Sequence, residues 1–224
     1  MSGAAGNAAP ASRRQRNARG QGSRLTEDIV TAALNLIDRE GTQEAVTLRA
    51  VAREIGIAAP SIYAHFADRD AIVAAVVARL FDELAVAIGI GEEGAADDPV
   101  ERLVDGCQAY VRYGDENPAR YQVLFTEPRS VGPVKDRPVM QPGQRPDLPA
   151  GTEAFAMLAD SIEACVNAGV SASTDIVADG AAIWTALHGT VTLRAARPLF
   201  PWPEPADDFV RGIVLRLARI VTPA

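Results

Sequence analysis

The chain has 224 residues, of which 48% are apolar, 23% charged and 5% aromatic, a composition that excludes a wholly disordered chain and a collagen-like one. Its longest unbroken apolar run, 71–78, is far short of the roughly 20 residues a membrane-spanning helix requires, so no span is expected, and the length allows one large domain or a small one joined to a larger. The net charge of −7 is unevenly placed: Arg13, Arg14, Arg16, Arg19 and Arg24 give residues 1–24 a charge of +5 with no acidic residue. Such a leader reads as a polyanion-binding arm, as a solvated disordered segment, or as a transit peptide; it lacks the apolar stretch of a secretory signal. Cys107 and Cys165 stand 58 positions apart with no CxxC pair or His cluster, so they are expected to be reduced packing residues of an intracellular protein.

From Leu25 onward apolar residues recur at helical spacing, which predicts an all-α chain. Thr26 is the expected N-cap of a first helix that buries Ile29, Ala33, Leu36 and Ile37 and ends at Gly41. Thr47 caps a short helix over 48–55 that stops at Gly56, and a second short helix is expected over 60–66. Asp68 opens a long helix with Ile72, Val76, Leu80 and Leu84 at i+4 spacing, and the Gly- and acid-rich stretch 88–97 then reads as a linker. Asp98-Pro99 launches a helix with Leu103, Cys107, Tyr110 and Val111 on one side, and another is expected over 118–127. Six prolines between 128 and 149 mark a long loop, after which helices are predicted over 152–168, 174–196 and 207–221. Gly89, Gly91 and Gly94 spell GxGxxG, but the motif follows a helix instead of a strand and sits beside Glu92 and Glu93, so it is no dinucleotide site.

Two short helices around a glycine turn have helix-turn-helix spacing. The particular residues say more: Thr47-Leu48-Arg49-Ala50-Val51-Ala52-Arg53-Glu54-Ile55-Gly56-Ile57-Ala58-Ala59-Pro60-Ser61-Ile62-Tyr63-Ala64-His65-Phe66-Ala67-Asp68-Arg69-Asp70-Ala71-Ile72 closely resembles the DNA-binding domain of the tetracycline repressor (TetR) family of bacterial transcription regulators. Ile62-Tyr63-x-His65-Phe66 is the most specific part, and the likeness covers about residues 25–72. Ala52, Ile55, Ile57, Ile62 and Phe66 read as the core that seats the two short helices. The resemblance implies that Tyr63 and His65 contact phosphates, with a capping role for His65 as the alternative. Arg69, where the family commonly has lysine, would meet a phosphate at the start of the long helix. Thr47 and Arg49 would reach the backbone, or a guanine edge in the case of Arg49. Ala59, Pro60, Ser61 and Ala64 face outward on the recognition helix without any bidentate base reader, so direct readout is thin. Specificity then falls to Arg49, Ser61, thymine-methyl contacts, and leader arginines such as Arg24 entering a neighbouring minor groove.

The segments Asn117-Pro118-Ala119-Arg120-Tyr121-Gln122-Val123-Leu124-Phe125 and Ile183-Trp184-Thr185-Ala186-Leu187-His188-Gly189 look like a subgroup of TetR-family sensor domains marked by Trp-x-x-x-His-Gly. The resemblance implies three regions: an Arg-rich arm over 1–24, a three-helix DNA-binding domain over 25–72, and a larger helical ligand-binding and dimerisation domain over 73–224. It further implies a homodimer through the last two helices on a palindromic operator in double-stranded DNA, and a largely apolar small-molecule effector. Tyr110, Tyr121, Phe125, Phe155, Trp184 and His188 are the candidate effector contacts. For the dimer, Ala178, Ala181, Ala182, Thr185, Ala186 and Gly189 suit close packing against Val210, Ile213, Val214 and Leu217, with intrachain core as the alternative. No G-x-S-x-G, H-E-x-x-H or P-loop occurs and only two histidines are present, so no catalysis, cofactor, metal or membrane is expected. The protein is expected in the bacterial cytoplasm, associated with the nucleoid. A helical protein that clamps DNA without sequence choice is the rival to a ligand-released repressor.

Overall fold

A computed structural model describes residues 21–94, 98–125 and 151–221. Helix α1, Gln21–Glu40, is followed by a single 3-10 turn at Gln43–Ala45, helix α2 at Leu48–Glu54, and a six-residue 3-10 helix at Ala59–Ala64. Next come α3 (Arg69–Gly94), α4 (Pro99–Glu116), α5 (Pro118–Leu124), α6 (Thr152–Asn167), α7 (Ile176–Ala196) and α8 (Ala206–Leu217). The described residues contain no strand; an isolated antiparallel bridge, Ser171 to Ile220, ties the α6–α7 connection to the end of α8.

The predicted apolar faces are the buried ones. Ile29, Ala33, Leu36 and Ile37 of α1 meet Ile72, Val76, Leu80 and Leu84 of α3 in a core continuous with Leu103, Cys107, Tyr110 and Val111 of α4. Helix α4 is central to the larger domain, packed against α3, α6, α7 and α8, while α1 packs against α2, α3 and α5. Asp68 accepts from the Ala71 amide and Asp98 from the Val100 amide, both at 2.8 Å, satisfying N–H groups that a helix start leaves unpaired. Both cysteines are free and buried.

Four expectations are corrected. Helix α1 starts at Gln21, five residues before the expected cap, and Thr26 is not a cap: its hydroxyl lies 3.0 Å from His65 Nδ1. The stretch read as a linker from 88 continues α3 as helix to Gly94, glycines included. Tertiary packing outweighs their poor propensity: a methyl on Gly89 would lie 3.4 Å from Met157 Cε, and one on Gly106 of α4 3.4 Å from Ile88 Cγ2. The GxGxxG glycines therefore lie inside a helix, with no phosphate cradle. The recognition segment is a 3-10 helix, in which Pro60 supplies no amide donor. Finally, Val210 and Val214 are fully buried in their own chain and are not available to a partner. Residues 1–20 of the arm and the proline-rich loop 128–150 lie outside the described residues.

Candidate DNA-binding surface and effector cavity

The helix-turn-helix is held by local hydrogen bonds. Thr47 Oγ1 accepts from the Ala50 amide at 3.1 Å, capping α2 while keeping its own hydroxyl hydrogen for another acceptor. At the turn Gly56 takes φ +70°, a conformation glycine adopts without a Cβ penalty, and the Ile57 amide reaches Ala52 O at 2.9 Å. In a 3-10 helix residues i and i+3 eclipse, so Ile62, 0% exposed, and half-buried Ala59 form the inward row. Pro60 and Tyr63 form one outward row, Ser61 and Ala64 another, and Tyr63 is 62% exposed. Ala59, expected to face outward, instead packs against the core. Arg49 is exposed on α2, Arg53 one turn later is exposed as well, and Arg24 is exposed in the first turn of α1.

Two of the expected phosphate contacts are engaged inside the protein. His65 is half-buried with Nδ1 on Thr26, leaving Nε2 as its other polar atom. Arg69 turns inward: Nε donates to Val46 O at 2.8 Å, Nη2 to Gln43 O at 2.7 Å, and Nη1 pairs with Asp70 at 3.2 Å. Its guanidinium fastens the connection between α1 and α2 onto the start of α3.

In the larger domain the six predicted effector residues come together, though they fill different places. Tyr110, Phe125, Phe155 and Trp184 line a narrow cavity of about 50 Å³. Phe81, Leu103, Cys107, Met157, Ser161 and Arg102 complete much of its wall, Arg102 being its one ionised side chain among the described residues. Tyr121 and His188 lie behind that wall. Phe125 stacks edge-on against His188 with centroids 4.4 Å apart and lies 5.0 Å from Tyr121, while Phe155 and Trp184 are 6.1 Å apart.

A hydrogen-bond chain joins the two layers. Trp184 Nε1 donates to Tyr110 Oη at 3.1 Å, Tyr110 Oη lies 2.8 Å from Tyr121 Oη, and Tyr121 Oη lies 2.9 Å from His188 Nδ1. Burial pushes the Tyr110 hydroxyl up to about 12, raises Tyr121 further, and lowers His188, so neutral phenols and a neutral imidazole are the stable forms at neutral pH. Because indole N–H only donates, the arrangement that uses every hydroxyl proton runs one way, from Trp184 through Tyr110 and Tyr121 to an unprotonated Nδ1. Gly114 makes this approach possible, since a methyl there would lie 2.5 Å from Val191 Cγ1 and 3.1 Å from Tyr121 Cδ2.

Helix α7 shows a second face. Val177, Ala178, Ala181, Ala182 and Thr185 are exposed, no atom of the described residues would lie within 4 Å of a methyl on Gly189, and Leu193 is exposed one turn on. Among the described helices α7 is long and apolar enough to cross a membrane by length and composition, with 33% of that stretch buried in the protein. The composition comes from two apolar faces on one helix, of which only one is occupied by α4, α6 and α8.

A helix-turn-helix head carried on a helical domain with an aromatic cavity defines a DNA-binding regulator with a sensor domain. The chain belongs to the TetR family: the family model for bacterial regulatory proteins of the tetR family matches residues 29–76, and that for the tetracyclin repressor-like C-terminal domain matches residues 103–217. It is a transcriptional regulator. The HTH-type transcriptional regulator Rv0681 of Mycobacterium tuberculosis is 28% identical over 192 residues, covering 86% of this chain and 79% of that protein. The fold is shared with the TetR family transcriptional regulator PfmR from Thermus thermophilus, at 19% identity and TM-score 0.56 over 88% of this chain and 99% of that one. It is also shared with RolR in complex with resorcinol, at 14% identity and TM-score 0.62 over 90% of each chain.

Proposed function

We propose that the protein is a repressor that binds a palindromic operator as a homodimer and is released by a small, largely apolar effector, in the cytoplasm of a bacterium at its nucleoid. Support comes from one juxtaposition: a head with an exposed polar row is packed directly on a domain whose interior is a narrow aromatic cavity. Thr47, Arg49, Pro60, Ser61 and Tyr63 meet DNA, with His65 offering Nε2 to a phosphate and Arg69 acting from behind by fixing the start of α3. The arm, including Arg24, adds phosphate or minor-groove contacts. Two such heads read half-sites about 34–36 Å apart, brought together by the open face of α7 with Ile213 and Leu217 of α8. The effector enters between Phe125, Phe155, Tyr110 and Trp184. The likeness to a protein solved with resorcinol supports an aromatic effector of that size.

Selection of bound duplex from a random pool, at about 150 mM salt to suppress non-specific phosphate binding, tests the reading. A recovered palindrome is expected. Uniform retention of unrelated sequences would establish a non-specific clamp instead. Ala181→Glu, placing a carboxylate on the open α7 face, is expected to yield monomers in sedimentation and to lose the palindrome while remaining folded.

A further inference from the structure

Helix α5 is seven residues long, and two adjacent side chains tie it to opposite sides of the molecule. Tyr121 belongs to the hydrogen-bond chain behind the cavity and is 3% exposed. Arg120, its neighbour, grips the DNA-binding head: Nε and Nη2 hold the two Asp38 carboxylate oxygens of α1 at 2.8 and 2.6 Å, and Nη1 holds Glu83 of α3 at 2.9 Å. Glu83 also faces Arg79 at 3.5 Å, which reaches Glu27 of α1 at 3.1 Å. Asp38 directly follows Ile37, a fully buried residue of the head.

Within reach of these charges lies an unusual group. Tyr113 Oη is buried with no hydrogen-bond partner among the described residues, and it feels Glu83, Arg120 and Asp38 electrostatically. A buried hydroxyl without a partner costs stability, so it favours any rearrangement that gives it an acceptor. Here the acceptors are the carboxylates that Arg120 holds.

We propose that Arg120 is a two-position clamp between the cavity and the DNA-binding head: in the position shown it holds Asp38 and Glu83, and in the other it withdraws with α5 and Tyr113 Oη donates to a released carboxylate. This rests on the regulator reading above. Displacement of Phe125 or Tyr121 by an effector would carry Arg120 with it, since all three stand on one short helix and its C-cap. Coupling between two binding sites is reciprocal, so DNA bound at the head must be felt at Trp184 in the cavity wall.

The test uses full-length protein carrying Trp202→Phe, which leaves Trp184 as the sole indole, and the duplex recovered by selection. Saturating duplex is expected to change Trp184 emission. In Asp38→Asn and Arg120→Gln proteins, folded by circular dichroism and still retaining duplex, the change is expected to vanish, and Asp38→Glu, which keeps the pair, is expected to restore it. Asp38→Asn disfavours the position shown and Tyr113→Phe favours it, so the two are expected to shift duplex affinity in opposite directions by twofold or more. A Trp184 response that survives both pair-breaking variants, or affinity shifts of the same sign, would overturn the clamp. Parent protein that binds duplex without any Trp184 change overturns it too but leaves the regulator intact, whereas parent protein that selects no duplex overturns both.

Discussion

The head and the sensor domain use polar atoms in opposite ways. In the head, Thr47, Arg49, Ser61 and Tyr63 stand exposed on an apolar base made of Val51, Ala52, Ile62 and Phe66. In the sensor, Trp184, Tyr110, Tyr121 and His188 satisfy one another. An open polar row is suited to a rigid, highly charged partner such as duplex DNA. A closed chain that runs from the aromatic wall to the layer behind it suits an apolar guest, because such a guest need not replace hydrogen bonds that the protein already makes within itself. The two regions therefore answer differently to substitution: the head fails when its base is removed, the sensor when its internal chain is cut.

The largest expected effect is on that base. Ile62 is fully buried beneath the outward rows, and Ile62→Ala should cost about 2 to 5 kcal/mol and abolish retention of the selected duplex, as checked by thermal melting and gel shift. An unchanged melting temperature would mean that the recognition segment is seated by something other than this side chain. Next in size is a matched pair in the sensor. Tyr121→Phe strands both Tyr110 and His188 and should cost about 1 to 3 kcal/mol. Tyr113→Phe removes a hydroxyl that has no partner among the described residues and should leave the melting temperature unchanged or raise it. If both tyrosines behave alike in melting experiments, the hydrogen-bond chain adds nothing to stability.

The same contrast explains how much was legible in the sequence. Caps, the Gly56 turn and the i, i+4 apolar faces are local, so Thr47, Asp68, Asp98 and the cores of α1, α3 and α4 could be read from spacing alone. The resemblance reached further and named six aromatic and imidazole side chains, of which Tyr110, Phe125, Phe155 and Trp184 line one cavity while Tyr121 and His188 stand behind its wall. What spacing could not show was direction. Whether Arg69 faces DNA or the carbonyls of Gln43 and Val46, and whether Val210 and Val214 face a partner or their own chain, depends on neighbours distant in sequence. Nothing local singles out Arg120, since its partners Asp38 and Glu83 lie 82 and 37 positions away. Glycine misled at 88–94, where close packing on α4 and α6 overrides a poor helix propensity.

Acid should separate the two regions next. Burial lowers the His188 pKa in the folded protein, so the unfolded chain takes up a proton first, near its ordinary value of about 6.5. The stability from neutral His188 is fully present above that value and is lost as pH falls from there to the folded pKa, below which the loss is constant. Protonation also turns Nδ1 from an acceptor into a donor, reversing the last bond of the chain from Tyr121. Melting temperatures measured between pH 7 and 5 should fall more steeply for the parent than for His188→Gln, whose amide oxygen can accept from Tyr121 without titrating. Parallel curves would place the proton elsewhere.

The smallest expected stability change belongs to the pair that joins the regions. Arg120 and Asp38 are bidentate at 2.6 and 2.8 Å, yet their side chains remain 28% and 39% exposed, and ion pairs so placed are worth about 0 to 1 kcal/mol once solvent screens them. Asp38→Asn should therefore shift the melting midpoint only slightly, and less in high salt than in low. A clamp that must be released by a small molecule cannot be strong: an effector shifts the equilibrium only by its differential affinity for the two positions. A drop in melting temperature as large as that of Ile62→Ala would make Asp38–Arg120 a structural fastening, too costly to open in normal use, and signal transfer would then have to pass along α3, the helix that runs from the head into the larger domain.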